Sequence, residues 1–204
     1  MTSFGFGDVA GRKAAFFLCL TLKIVNSAFY SCPFSISVST NCVQSANQQS
    51  VFFEGVENVP EFISLESTLA PSALDLSWVQ SNFENLLKMN GKDGSQRFAL
   101  ACELFHDWNH GQSKRKCVST LWSCLDALYG KNERNSRRKL QERIVSHIGD
   151  IEEKNIIEAY DLRCDVVHGR RLSDQQLDKA VEITFGLVSA SLKTCVETRK
   201  LPLD

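Results

Sequence analysis

The chain contains no uninterrupted apolar stretch of the about 20 residues that a bilayer-spanning helix needs. Its nearest approach is Ala14-Ala-Phe-Phe-Leu-Cys-Leu-Thr-Leu22 behind Arg12-Lys13, which imitates a signal peptide. Lys23 breaks that run, polar Thr21 and Asn26 lie beside it, and no small-x-small cleavage site appears, so a buried helix is expected there instead. No Cys-x-x-Cys pair occurs among the eight cysteines, and no disulfide framework is expected. Cys102, Cys117 and Cys124 fall inside apolar helical patterns, where a thiol acts as a small hydrophobe. A reducing, cytoplasmic protein is the expectation. A Gly-rich phosphate loop is also missing, because Gly5-x-Gly7 with Gly11 lacks the spacing of a nucleotide site. No Ser/His/Asp order suggests a hydrolase triad. There is no internal repeat and no low-complexity tract. Net charge is −1, which excludes a uniformly basic nucleic-acid coat.

The 204 residues suggest one domain, or one domain with an appendage. Residues 1–72 are rich in Phe, Ser, Val and Asn. Within them, Asp8 to about Phe29 reads as a buried helix or a pair of strands, Phe34 to Thr40 alternates like a strand, and Val51-Phe-Phe53 suggests another. Asn41–Ser50 reads as a loop, and Pro60 and Pro71 punctuate a connector. Residues 73–204 are helical in pattern. Leu76, Val79, Phe83, Leu86 and Leu87 mark a first helix, ended by Asn90-Gly91; Phe98, Ala101, Leu104, Phe105 and Trp108 mark a second, closed by Gly111. Ser113 caps a third that stops at Gly130, Asn135–Ile148 forms a basic fourth before Gly149, and Glu152 to about His168 forms a fifth. A sixth runs from the Ser173 cap to about Val196.

Basic charge is concentrated. From His110 to Arg171 there are thirteen Lys/Arg against nine Asp/Glu, whereas residues 1–109 hold six against ten. Lys131, Arg134, Arg137, Arg138, Lys139 and Arg143, together with Lys114-Arg-Lys116, fit either a solvated helix face or a surface that steers an RNA backbone. This region carries Tyr160-Asp-Leu-Arg-Cys-Asp-Val-Val-His-Gly169, which sets Arg163 and His168 five positions apart before a glycine. A guanidinium can fork onto a phosphate, and an imidazole can take and give a proton near neutrality. On a regular helix a five-residue offset rotates by about 500°, roughly 140° net, so the two do not share a face. They can meet one substrate if the helix loosens near Val167, or if two chains present both residues across a seam.

Three segments, in order, resemble a known family. Leu121-Trp-Ser-Cys-Leu-Asp-Ala-Leu-Tyr-Gly130, Arg138-Lys-Leu-Gln-Glu-Arg143 and Tyr160–Gly169 are similar to the acidic-Ala-Leu helix, the following basic helix and the R-x4-6-H signature of HEPN domains, most closely the ApeA-like branch. The resemblance covers about Leu76 to Val196. It implies a mainly α fold, an antiparallel helical bundle that dimerises, here preceded by a small mixed N-terminal segment. It also implies metal-independent endoribonuclease activity, without a cofactor, in toxin–antitoxin or antiviral defence. Arg163 would then neutralise the scissile phosphate and His168 would act as general acid or base. Asp126 matches the acidic position that orients Arg163, and Tyr160 and Asp165 would support the site. Lys131, Arg134, Arg137, Arg138, Arg170 and Arg171 would bind RNA. Two positions depart from the family pattern. Cys164 replaces a polar residue. Arg171 stands where the branch controlled by nucleotidylation has a tyrosine, so that control is not expected.

Two rivals stand beside this reading. One is a non-catalytic HEPN-like dimerisation or sensor module that docks on an antitoxin or defence-system partner protein, with no membrane role. The other is metal binding by His106 and His110, which with Cys102 form an i, i+4, i+8 stripe. Eight residues rise about 12 Å, so Cys102 cannot easily join the pair, and His106-Asp-Trp-Asn-His110 lacks a metalloprotease glutamate.

Overall fold

A computed structural model describes residues 73–91, 94–108, 113–130, 136–149 and 151–202, together with positions 17, 20, 21, 24, 25, 34, 35, 54 and 55. The described chain is mainly helical. Six helices carry it: α1 (Ala73–Met89), α2 (Gln96–Asp107), α3 (Lys114–Tyr129), α4 (Ser136–Ile148), α5 (Glu153–Val167) and α6 (Asp174–Thr198). Their ends follow local chemistry. The Ser113 hydroxyl accepts the Lys116 N–H at 3.4 Å and opens α3. Ser173 and Gln176 form a reciprocal capping box at the start of α6, with bonds of 2.9 and 3.2 Å. Gly149 after α4 and Gly169 after α5 adopt φ of 80° and 68°, the left-handed conformation that glycine tolerates best. The second helix starts at Gln96. It ends at Asp107 with Trp108 still in a right-handed helical conformation, and Gly111 lies outside the described residues.

Helices α3 and α6 form the centre. α3 packs on α2, α4, α5 and α6, and α6 packs on α1, α3, α4 and α5. α3 is so central because Cys117, Val118, Leu121, Trp122, Cys124, Leu125, Leu128 and Tyr129 are all buried along it. Phe185 of α6 stacks on Phe105 at 5.3 Å and tilts against Trp108 at 5.4 Å. The buried Tyr129 hydroxyl donates to Ser191 Oγ at 2.8 Å, and Ser191 donates in turn to the Leu187 carbonyl at 2.6 Å, so these two core hydroxyls are bonded.

Phe17, Leu20, Thr21 and Ile24 are helical and buried, and Phe17, Leu20 and Ile24 belong to the same core. Their spacing is that of one helix face, as the expected buried helix requires. The segment set apart by texture at 1–72 thus lends three side chains to the core of the helices that follow. Phe34–Ser35 pairs antiparallel with Glu54–Gly55. The rest of the expected Phe34–Thr40 strand, the Val51–Phe53 strand and the Asn41–Ser50 loop lie outside the described residues. Among the described residues no helix is long and apolar enough to cross a membrane. Cys102, Cys117, Cys124, Cys164 and Cys195 form no disulfide, and burial raises the Cys117 thiol to about 11 and pushes that of Cys102 well above its ordinary value. Cys102 and Cys117 are therefore protonated, inert packing groups at neutral pH.

Candidate functional site

The end of α5 is built to hold His168 in one place. The Gly169 N–H bonds to the Val166 carbonyl at 3.2 Å and the Arg170 N–H to the Asp165 carbonyl at 2.9 Å. With Gly169 left-handed, this is a Schellman ending. His168 is the last residue before the reversal, with φ −83° and ψ 8°. Arg115 of α3 pins the same turn, donating to the Arg170 carbonyl at 2.7 Å and reaching the Val166 carbonyl at 3.5 Å. The Arg170 side chain bonds back to Asp165 at 2.8 Å. The result is a rigid turn that leaves His168 exposed, next to Val167, an apolar side chain that is itself 53% exposed.

Arg163 lies elsewhere on the same helix. It lines a cleft of about 180 Å³ between α3, α4 and α5, together with Trp122, Asp126, Arg137, Leu140, Arg143 and Tyr160. Three arginines and one carboxylate line it, and of the three Arg163 is the one whose charge acts on Asp126. The Asp126 carboxyl is raised by the crowding of neighbouring protein atoms, and the nearby Arg163 charge pulls it back down. Asp126 is exposed as a residue, so the crowding acts at the carboxyl on the cleft side while the rest of the residue meets solvent. The Tyr160 ring stands edge-on to Trp122 at 5.7 Å, and Arg137 lies over it at 4.7 Å, with Arg163 at 5.9 Å. That ring is a wall of the cleft.

The site residues expected from sequence thus divide. Arg163, Asp126, Tyr160 and Arg137 come together in one cleft. His168 is not among the residues that line it, as the five-residue offset implies. Asp165 pairs with Arg170 and not with Arg163. Arg137 also bonds Asp161 at 2.7 Å, Arg138 bonds Glu142 at 2.8 Å, and Arg171 is exposed. Lys131 and Arg134 lie outside the described residues. In the Lys114-Arg-Lys116 run, Lys114 pairs with Asp178 at 2.5 Å, a bond that raises its pKa, and Arg115 caps α5.

Two arginines gain roles that sequence reasoning did not assign. Arg97 donates to the Ala127, Leu128 and Gly130 carbonyls at 2.9, 3.0 and 2.9 Å, closing the end of α3 that carries Asp126. Arg143 donates to the Tyr129 carbonyl at 3.0 Å. Their partners stand far away in the chain and are backbone atoms, so no residue type signals them. The helix-end glycine Gly130 is the only local hint that carbonyls there need donors.

Of the metal-binding stripe, Cys102 is buried in the core, His106 sits in the last turn of α2 and His110 lies outside the described residues. Among the described residues no group of three or more His, Cys, Asp or Glu is arranged to hold a metal ion.

What the arrangement can do chemically is bind an anion. The cleft offers forked donors on a rigid scaffold, and a proton-transfer group stands exposed about 7.5 Å further along the same helix axis. Comparison with known proteins adds no name: no family model, no curated protein and no solved structure matches the chain.

Proposed function

We propose that this protein is a metal-independent endoribonuclease of the HEPN type, acting as a toxin or defence effector through a site shared by two copies of the chain. The observation that carries the reading is the division of labour along α5. Arg163 lies in a cationic cleft, while His168, on the same helix, is exposed at a capped end and is not among the residues that line the cleft. A lone chain leaves the two apart; a second copy facing the end of α5 supplies His168 to the phosphate held at Arg163. Exposed Val167 gives such a seam an apolar contact beside the histidine.

In the reaction, His168 takes the proton from a ribose 2′-hydroxyl, and that oxygen attacks the neighbouring phosphorus. The bond to the 5′-oxygen breaks, and the leaving oxygen receives a proton from an imidazolium. The products are a 2′,3′-cyclic phosphate and a 5′-hydroxyl. Arg163 neutralises the charge that builds on the non-bridging oxygens, and Asp126 biases the guanidinium through its own charge. The test is incubation of purified wild type and His168→Ala with total RNA in EDTA, with the ends mapped. Cyclic-phosphate ends from the wild type alone are expected. Cleavage that needs added Mg²⁺, or that His168→Ala performs equally well, would remove the proposal.

A further inference from the structure

A second and larger cavity, of about 570 Å³, opens between α4 and the C-terminal end of α6. From α4 it is lined by Lys139, Arg143 and His147, which recur every fourth residue and so share one face. Lys200 stands across from them, beyond α6. The carboxylate at the cavity, Glu142, accepts a 2.8 Å bond from Arg138, which offsets its charge. His147 does not add a full cation. Its Nε2 lies 3.4 Å from the Ser191 carbonyl oxygen and 3.4 Å from Cys195 Sγ, and burial lowers its pKa despite the bond to Ser191. The cavity is nonetheless cationic through Lys139, Arg143 and Lys200, with hydroxyls at Ser146 and Thr194.

Arg143 lines this cavity and also the Arg163 cleft, and its bond to the Tyr129 carbonyl fixes it between them. Cations therefore continue from Arg163 and Arg137 through Arg143 to Lys139 and Lys200. The larger cavity has no Phe, Tyr or Trp among its described lining residues, so it offers no face for stacking a base. A row of cations without an aromatic platform suits a chain of phosphates.

We propose that this cavity is a backbone-phosphate subsite for the RNA strand cut at Arg163, with Arg143 bridging the two clefts. The inference rests on the ribonuclease reading. A labelled single-stranded DNA dodecamer, which lacks the 2′-hydroxyl and cannot be cut by this chemistry, separates binding from catalysis. Its affinity for the whole protein is measured by fluorescence anisotropy across a salt series, for wild type, Lys200→Glu and Lys139→Glu/Lys200→Glu, with helical content checked by circular dichroism. The double variant should bind at least about tenfold more weakly, with a salt slope shallower by roughly one unit or more. Exposed Lys200 tolerates replacement, and its single variant should weaken binding about threefold or more even if the double variant fails to fold. Equal affinity of wild type and the folded variants overturns this inference and leaves the ribonuclease reading standing. Wild type that binds no oligonucleotide also overturns this inference, while the ribonuclease reading falls only with the RNA cleavage test in EDTA. A polyglutamate peptide of the same length that binds wild type as tightly as the dodecamer also overturns the assignment, since the surface would then serve an acidic peptide.

Discussion

Replacing Arg163 with alanine is expected to lower RNA cleavage about 10²–10³-fold while the protein stays folded. The expectation has two parts. Arg163 is partly buried in the cleft wall, but none of its neighbours depends on it for a direct hydrogen bond or ion pair among the described contacts. Its removal takes the compensating charge from the crowded Asp126 carboxyl, which is pushed further up, but breaks no described hydrogen bond or ion pair of the helical core. Under the proposed mechanism it also removes the fixed charge that would meet the phosphate oxygens, and that loss would fall on the transition state more than on the substrate. Arg163→Lys should recover little, because an ammonium cannot present two parallel donors. His168→Ala should fall by at least as much, since the side chain is exposed at a capped turn and dispensable for folding, while the proposed mechanism needs it for proton transfer. Single-turnover cleavage of a defined RNA, beside a thermal melt of each variant, checks both parts. Either variant cutting at near wild-type rate would count against the site.

Trp122→Ala should cost about 3–5 kcal/mol of stability, a large share of the roughly 5–15 kcal/mol that holds a domain together. Trp122 is 2% exposed, sits on the central helix, and presents its ring edge-on to Tyr160. Deleting it opens a void beneath the cleft and frees Tyr160, over which Arg137 is held. Its indole N–H has no hydrogen-bond partner, so the loss is one of packing alone. Trp122→Phe isolates that point: it keeps most of the contact, discards an unsatisfied buried donor, and should cost far less than the alanine change. Urea unfolding of the three proteins reads the difference. A Trp122→Ala variant within about 1 kcal/mol of wild type would show that the cleft floor is not packed as described.

Much of the fold is legible in the sequence because its signals are local. Ser113, Ser173 with Gln176, Gly149 and Gly169 each fix a helix end through bonds to residues no more than a few positions away. Apolar spacing along α3 and α6 identifies the two central helices in the same way. The site is legible only in part. Arg163, Asp126, Arg137 and Tyr160 are each singled out from sequence, and they share a cleft because α3, α4 and α5 pack together. The allocation of the other cations was hidden. Arg115 and Lys114 are chain neighbours of one charge, yet one caps a turn 55 residues away and the other pairs with Asp178. A run of basic residues reports charge; it does not report which members the fold consumes. The larger cavity is not legible in the sequence for a related reason. The four-residue spacing of Lys139, Arg143 and His147 is visible, but the wall supplied by α6 and Lys200 is a tertiary fact.

The shared site is tested most directly by pairing two inactive chains. Arg163→Ala and His168→Ala chains, differently tagged and co-expressed, are purified through both tags. The account predicts that neither variant alone cuts RNA, and that the mixed dimer recovers cleavage because one intact Arg163 faces one intact His168 from the other copy. A mixed dimer as inactive as either parent, or a protein that stays monomeric while the wild type cuts RNA, would contradict it.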